Sequence, residues 1–272
     1  MVFSNILASL PSAVSMAPAL PSAARRPASR RLRRDTALAV GGIGLRYHLR
    51  HALDSGVPTC AEACTGAPQR HRGLAVDPTR RLAEAGAARE AESAGRALLA
   101  ACDAATSWPG IGLSVKLDYG QLAGHAIIGQ LGDALDRSGL NPERLEFSIL
   151  EADAARIGPD ELLTLSALRD LGVGLAIADF GHEQASLAML RRLPLTTVKL
   201  AAGMVWRVRE DPEDAAIAAA VIMAAHAIGL CVVAGGLTDE AQRACLAAYG
   251  CDEAQGALFG PALQVAEVAV TL

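Results

Sequence analysis

The sequence predicts an α/β fold whose parallel strands close into a barrel, and three observations carry that prediction. First, five apolar runs, Ile111–Leu117, Leu145–Leu150, Val173–Ala178, Leu195–Leu200 and Leu230–Ala234, alternate with segments of helical length. Strands that are apolar almost throughout, rather than at every second residue, belong to a parallel sheet covered on both faces. Second, Gly172, Gly229 and Gly250 fall just before strands, where a helix ends on a left-handed residue. Third, hydrophobic residues make up 51% of the chain but aromatics only 3%, so the core is built of Ala, Leu, Val and Ile, as suits helices packed on a sheet.

At 272 residues the chain holds one large α/β domain. Residues 1–41 differ from the rest: they are rich in Ser, Pro and Ala, then carry six arginines between Arg25 and Arg34, and are expected to be a disordered tail. Residues 42–272 are expected to form the folded domain. In it, L-R-Y-H-L-R-H-A-L, a D-S-G turn and V-P-T-C-A-E-A-C read as a β-hairpin, with Pro58 marking a strand start and Glu62 near the end of the second strand. The Ala-rich stretch Asp77–Thr106 reads as helix, interrupted near Gly86 or Gly95. Farther on, Asp211 is an N-cap, with Pro212 in the first turn and Glu213 and Asp214 facing the helix dipole.

Several function classes fall away on composition. A net charge of −4 gives no drive toward nucleic acid. Cys60, Cys64, Cys102, Cys231, Cys245 and Cys251 contain no C-x-x-C pair and sit partly in apolar runs, which fits reduced thiols in a cytoplasmic protein. Ala215–Thr238 carries no Asp, Glu, Lys or Arg across 24 residues, but Gly229, Gly235 and Gly236 divide it, so its second half reads as strand rather than membrane span.

Chemistry in such folds is done at the C-terminal ends of the strands, where loops converge over a rigid floor. There the sequence places Asp179-Phe180-Gly181 after one strand and Lys199 on the next, a pair expected to form an ion pair at the barrel mouth. His226 and His182 read as surface residues, and Arg191-Arg192 as facing water.

Read together, these landmarks resemble the EAL-domain family from about Leu45 to Leu263. Glu62-Ala63-Cys64 stands on the signature Glu-Ala-Leu, and R-G-L at Arg72–Leu74 and L-A-E at Leu82–Glu84 resemble the segments that follow it. L-E-F-S-I-L-E-A-D is similar to L-E-L-E-I-T-E-S, A-D-F-G to D-D-F-G, and L-R-R-L-P-L-T-T-V-K-L-A to L-R-R-L-P-V-D-x-L-K-I-D. V-V-A-G-G-L-T-D and G-C-D-E-A-Q-G-A-L-F continue the match. The resemblance implies a modified TIM-like (β/α) barrel with one antiparallel strand. It also implies an ancestry in hydrolysis of cyclic di-GMP by two divalent cations held on carboxylates and an Asn.

Carried over residue by residue, Glu62, Asp179, Lys199 and Gln255 persist, as does Glu151, which in the family braces the loop after D-D-F-G. The Asn ligand is Lys116, the first Glu of E-I-T-E is Ser148, and the first Asp of D-D-F-G is Ala178. The Asp of K-I-D is Ala201, and the two Glu of A-E-G-V-E are Gly235 and Thr238. The phosphate-contacting Arg falls at Gly66, the guanine-contacting Gln at His48, and T-G-Y-S-S is replaced by H-E-Q-A-S. Hard cations need several converging oxygens, so the expectation is a catalytically inactive regulatory binding module of cyclic di-GMP-linked signalling, with no metal and no cofactor. Its expected partners are a protein, cyclic di-GMP with weakened recognition, and a second copy of the chain. Ligand-binding candidates are Lys116, Asp179, Lys199 and Gln255, with Lys116 a built-in counter-ion among Glu62 and Asp179. The alternative is a cyclic di-GMP phosphodiesterase with rearranged ligation of Mg²⁺ or Mn²⁺, in which Glu62 and Asp179 would contact metal.

Overall fold

A computed structural model of the chain describes residues 44–65, 87–182 and 186–272. The tail, the position of Gly66, the segments Arg72–Leu74 and Leu82–Glu84, and residues 183–185 of the H-E-Q-A-S loop lie outside the described residues.

Eight strands close into a barrel in sequence order. They are β1 (Leu45–Ala52), β2 (Pro58–Thr65), β3 (Gly112–Lys116), β4 (Leu145–Leu150), β5 (Gly174–Phe180), β6 (Thr197–Leu200), β7 (Cys231–Gly235) and β8 (Glu253–Gln255). β1 runs antiparallel to both β2 and β8, and every other neighbouring pair is parallel. The expected single antiparallel strand is therefore β1. The hairpin needs no crossover, whereas each parallel step needs a return segment, and helices supply it.

Those helices are α1 (Ala87–Ala105), α2 (Tyr119–Ala123), α3 (Ala126–Ser138), α4 (Glu151–Ala154), α5 (Pro159–Asp170), α6 (Leu187–Arg192), α7 (Ala202–Trp206), α8 (Pro212–Ala227), α9 (Glu240–Ala248) and α10 (Val265–Thr271). α8 starts as its sequence dictates, with the Asp211 carboxylate accepting from the Glu213 amide at 2.9 Å. The long uncharged stretch splits into α8 and β7, and among the described residues no helix is long and apolar enough to cross a membrane. Gly172, Gly229 and Gly250 take φ of 92°, 79° and 82°, the left-handed values that end a helix. Of the two expected places for an interruption, Gly86 lies outside the described residues, and Gly95 is not one, since α1 passes through it unbroken. A Cβ there would meet the Gln130 side chain of α3 at 3.3 Å, so the glycine serves close helix packing rather than a break.

The main core lies between barrel and helices. Leu113, Phe147, Ile149, Leu175, Ile177, Val198, Leu200 and Val232 are buried there against residues such as Leu131, Leu165 and Ile222. Tyr47 and Trp108 meet edge to face with centroids 4.6 Å apart, and the Trp108 indole donates to the Val265 carbonyl at 3.1 Å, tying α10 to the barrel. Strand side chains alternate, so while the apolar set faces the helices, the other set fills the barrel lumen.

Candidate functional site at the barrel lumen and mouth

The lumen holds charge. Lys199 on β6 is 6% exposed, and its ammonium lies 3.2 Å from Glu62 Oε2 on β2 and 3.3 Å from Glu146 Oε1 on β4. These strands are not neighbours, so their side chains can meet only across the barrel. Lys199 Nζ also donates to Ser114 Oγ at 2.8 Å, and that hydroxyl donates to Glu146 Oε1 at 2.9 Å. Arg50 of β1 donates through Nη1 to the same Glu146 oxygen at 3.1 Å. Its Nε lies 2.7 Å from Glu253 Oε2 of β8, a contact of charges that is not aligned as a hydrogen bond. A ladder Glu62–Lys199–Glu146–Arg50–Glu253 thus runs through the lumen, three carboxylates against two cations.

Burial alone would push the Glu146 carboxyl up, but Lys199, Arg50 and the hydroxyls of Thr197 and Ser114 overcome it and hold the group down at about 2. Burial would lower Lys199, yet Glu62 and Glu146 raise it. Both partners are therefore charged, the carboxyl held down and the ammonium held up. His48, beside Glu62 on the hairpin, is held below its ordinary value by burial, which the Glu62 charge only partly offsets. Burial pushes the Cys60 and Cys231 thiols up to about 12, so neither is a ready nucleophile.

The residues expected at the mouth are placed as follows. Glu62 is half-buried near the end of β2. Asp179 is exposed and sits at φ 56° beside a register shift between β5 and β6. The expected Lys199–Asp179 ion pair is thus corrected: Lys199 points down into the lumen, where two carboxylates hold it, while Asp179 turns out to solvent. The counter-ion beside Glu62 is likewise Lys199 rather than Lys116, which is half-buried at the end of β3 with its Cα opposite Ser148. Gln255 is half-buried at the end of β8, opposite Gly235. Glu151 is buried, and its Oε2 accepts from the amides of Gly181 and His182 at 3.0 and 3.1 Å, bracing the turn after Asp179-Phe180. Gly181 has φ 92°, and a Cβ there would overlap Met204 Sδ at 2.1 Å, so α7 packs against that same turn. His226 and His182 are exposed as expected, with His226 2.8 Å from Asp252. Arg191 and Arg192 are exposed, but Arg192 reaches back to the carbonyls of Ile157 and Ala154.

Sequence reasoning missed Arg50, Glu146 and Glu253. Their signal was a charge inside an apolar strand: L-R-Y-H-L-R and L-E-F-S-I-L set polar groups at alternate positions, the mark of a filled polar lumen.

The EAL domain model of known families matches residues 30–262. The chain belongs to the EAL domain family. The EAL structure of the phosphodiesterase MucR, solved in a cyclic di-GMP complex, superposes with a TM-score of 0.75 at 28% identity, covering 85% of this chain and 96% of that one. The EAL domain of Mycobacterium smegmatis DcpA gives 0.71 at 26% identity, with 85% and 96% covered. Among curated relatives, the cyclic di-GMP phosphodiesterase RocR of Pseudomonas aeruginosa is 32% identical over 149 residues, 55% of this chain and 38% of RocR. The bifunctional diguanylate cyclase and phosphodiesterase MucR of the same organism is 34% identical over 54% of this chain and 22% of MucR. The chain thus spans well under two thirds of these curated relatives. At the positions where the EAL resemblance places acidic ligands stand Ser148, Ala178, Ala201, Gly235 and Thr238, and among the described residues no group of three or more His, Cys, Asp or Glu side chains converges as a metal cage.

Proposed function

We propose that this EAL domain does not hydrolyse cyclic di-GMP and acts as a regulatory binding module in cyclic di-GMP-linked signalling, through contacts with a protein partner. The observation that carries this reading is the state of Glu62. A two-cation centre needs oxygen donors around ions about 3.5–4 Å apart. Here the Glu62 carboxylate is paired with the Lys199 ammonium at 3.2 Å, and the neighbouring acidic positions hold Ser148, Ala178, Ala201 and Gly235. The remaining donor set does not fit two cations.

Gly235 strengthens the reading, because a Cβ there would come within 2.9 Å of the Leu200 carbonyl oxygen. The backbone has closed on the space a longer side chain would need. Glu151 still holds the Gly181–His182 turn, and α7 still packs on it, so the framework of the mouth outlives its metal ligands. A braced mouth with few remaining acidic donors suits recognition. The six free thiols fit residence in the cytoplasm. Incubation of the purified protein with cyclic di-GMP and Mg²⁺ or Mn²⁺ tests the proposal: the expected result is no linear dinucleotide, and sustained turnover would establish the phosphodiesterase reading instead.

A further inference from the structure

A hollow lies at the opposite end of the barrel from the mouth. It has a volume of about 250 Å³ and opens at the strand starts, where Gly112, Leu145 and Gly174 begin β3, β4 and β5. Its space exists because lining positions on β3 and β5 carry no side chain. Three guanidinium groups, Arg50, Arg144 and Arg169, border it, against the carboxylates of Glu143 and Glu146. Glu146 is already matched by Lys199 from inside the lumen.

Arg144 and Arg169 have no ion-pair partner among the described residues; what they bond is backbone. Arg144 donates through Nε to the Ile111 carbonyl at 3.0 Å and through Nη2 to the carbonyls of Ala105, Trp108 and Ile111 at 2.9, 2.5 and 2.8 Å, which fixes its guanidinium plane. Arg169 is anchored by one bond, from Nη1 to the Val173 carbonyl at 2.7 Å. These bonds leave N–H groups on both, Nη1 on Arg144, and bring no negative charge. Arg50, 8% exposed, lies at the floor, its charge already engaged by Glu146 and Glu253. The two guanidinium groups of Arg144 and Arg169, held by neutral acceptors around a solvent-accessible hollow, are arranged for an anion, and forked guanidinium donors match phosphate oxygens.

The geometry points to a phosphate-binding site at the strand-start end of the barrel, taking inorganic phosphate or the phosphate of a small monoester. The site is separate from the mouth and does not depend on whether the mouth hydrolyses nucleotide. Its floor shares Glu146 with Lys199, so occupancy reaches the lumen ladder through Arg50.

Thermal unfolding of the full chain tests the site, with sodium phosphate and glycerol phosphate each titrated against sodium chloride at matched ionic strength. Phosphate should raise the melting temperature beyond the chloride control, and glycerol phosphate doing the same would show that the hollow admits an ester. Arg169→Gln, which keeps the stem and removes the charge, should weaken phosphate at least roughly tenfold, the worth of one charge-assisted bond. Gly174→Ala adds a methyl to the wall, 3.4 Å from Glu146 Cβ, and should weaken binding without touching any charge. Arg209→Gln, at an exposed arginine on another face, should leave the phosphate effect intact. An equal rise in chloride, or a phosphate effect unchanged in both Arg169→Gln and Gly174→Ala, would overturn the assignment.

Discussion

Lys199 and Glu62, 137 residues apart in the chain, meet across the barrel lumen at 3.2 Å. The ammonium also faces Glu146 at 3.3 Å, so one lysine is shared by two carboxylates inside the fold. Its removal leaves buried Glu146 and half-buried Glu62 without that cation. Lys199→Met is expected to cost about 3–5 kcal/mol in urea unfolding, the penalty of an uncompensated buried charge. Pairing it with Glu146→Leu should recover part of the loss, since a well-packed apolar substitute often equals a buried ion pair. A single variant within 1 kcal/mol of wild type would show that the ladder carries no stability.

The ladder also sets a pH dependence. Glu146 is held at about 2 against an ordinary 4.5, so its contribution is present above pH 4.5 and is lost as pH falls toward about 2. His48 and His51 are both held below 6.5 by burial, and each takes up a proton more readily when unfolded. Their contribution is therefore present above pH 6.5 and declines below it. Melting temperature should fall in two stages on acidification, the first beginning near 6.5 and the second below 4.5. Replacing His48 and His51 with Gln should flatten the first stage and leave the second.

The turn after Phe180 is held from two sides, by Glu151 and by Met204. Gly181→Ala meets both a φ of 92° and the Met204 sulfur, and should cost about 1–3 kcal/mol from backbone strain, with a further loss from the clash. The double variant with Met204→Ala should relieve the clash alone. Equal destabilisation of the single and double variants would remove Met204 from the account.

Placing one acid at these positions should not by itself create a metal site. Gly235→Glu is expected to lower stability, because its Cβ is driven to within 2.9 Å of the Leu200 carbonyl and the strand must shift. Ser148→Glu adds a third carboxylate near Glu62 and Glu146, and should raise the pH at which the protein loses stability. An increase in melting temperature for either variant without added metal would contradict the picture of a closed lumen in which carboxylates already outnumber cations.

Much of the fold was legible because local chemistry and global packing agree. Apolar runs between Gly172, Gly229 and Gly250 could be placed as buried strands, and Asp211-Pro212 marked a helix start from four residues. Gly95 misled because a helix glycine signals a break only when nothing packs on it; here Gln130 does. At the site, Ala178 and Ala201 are read directly from the strand ends where the EAL resemblance places acids. What remained hidden was where charges point. Lys199 is expected beside Asp179 because both stand at the ends of successive strands, but the strand places its side chain in the lumen, where partners from β2 and β4 converge. Register across a closed barrel joins residues that no local pattern connects.

The direct measurement of the central claim is Mn²⁺ binding, followed by the electron paramagnetic resonance signal of the free ion during titration into the purified protein. With Glu62 paired to Lys199, the free-ion signal should rise in proportion to added Mn²⁺, as it does in buffer. Loss of signal equivalent to two ions per chain, abolished by Glu62→Gln, would show an intact two-cation centre and contradict the account.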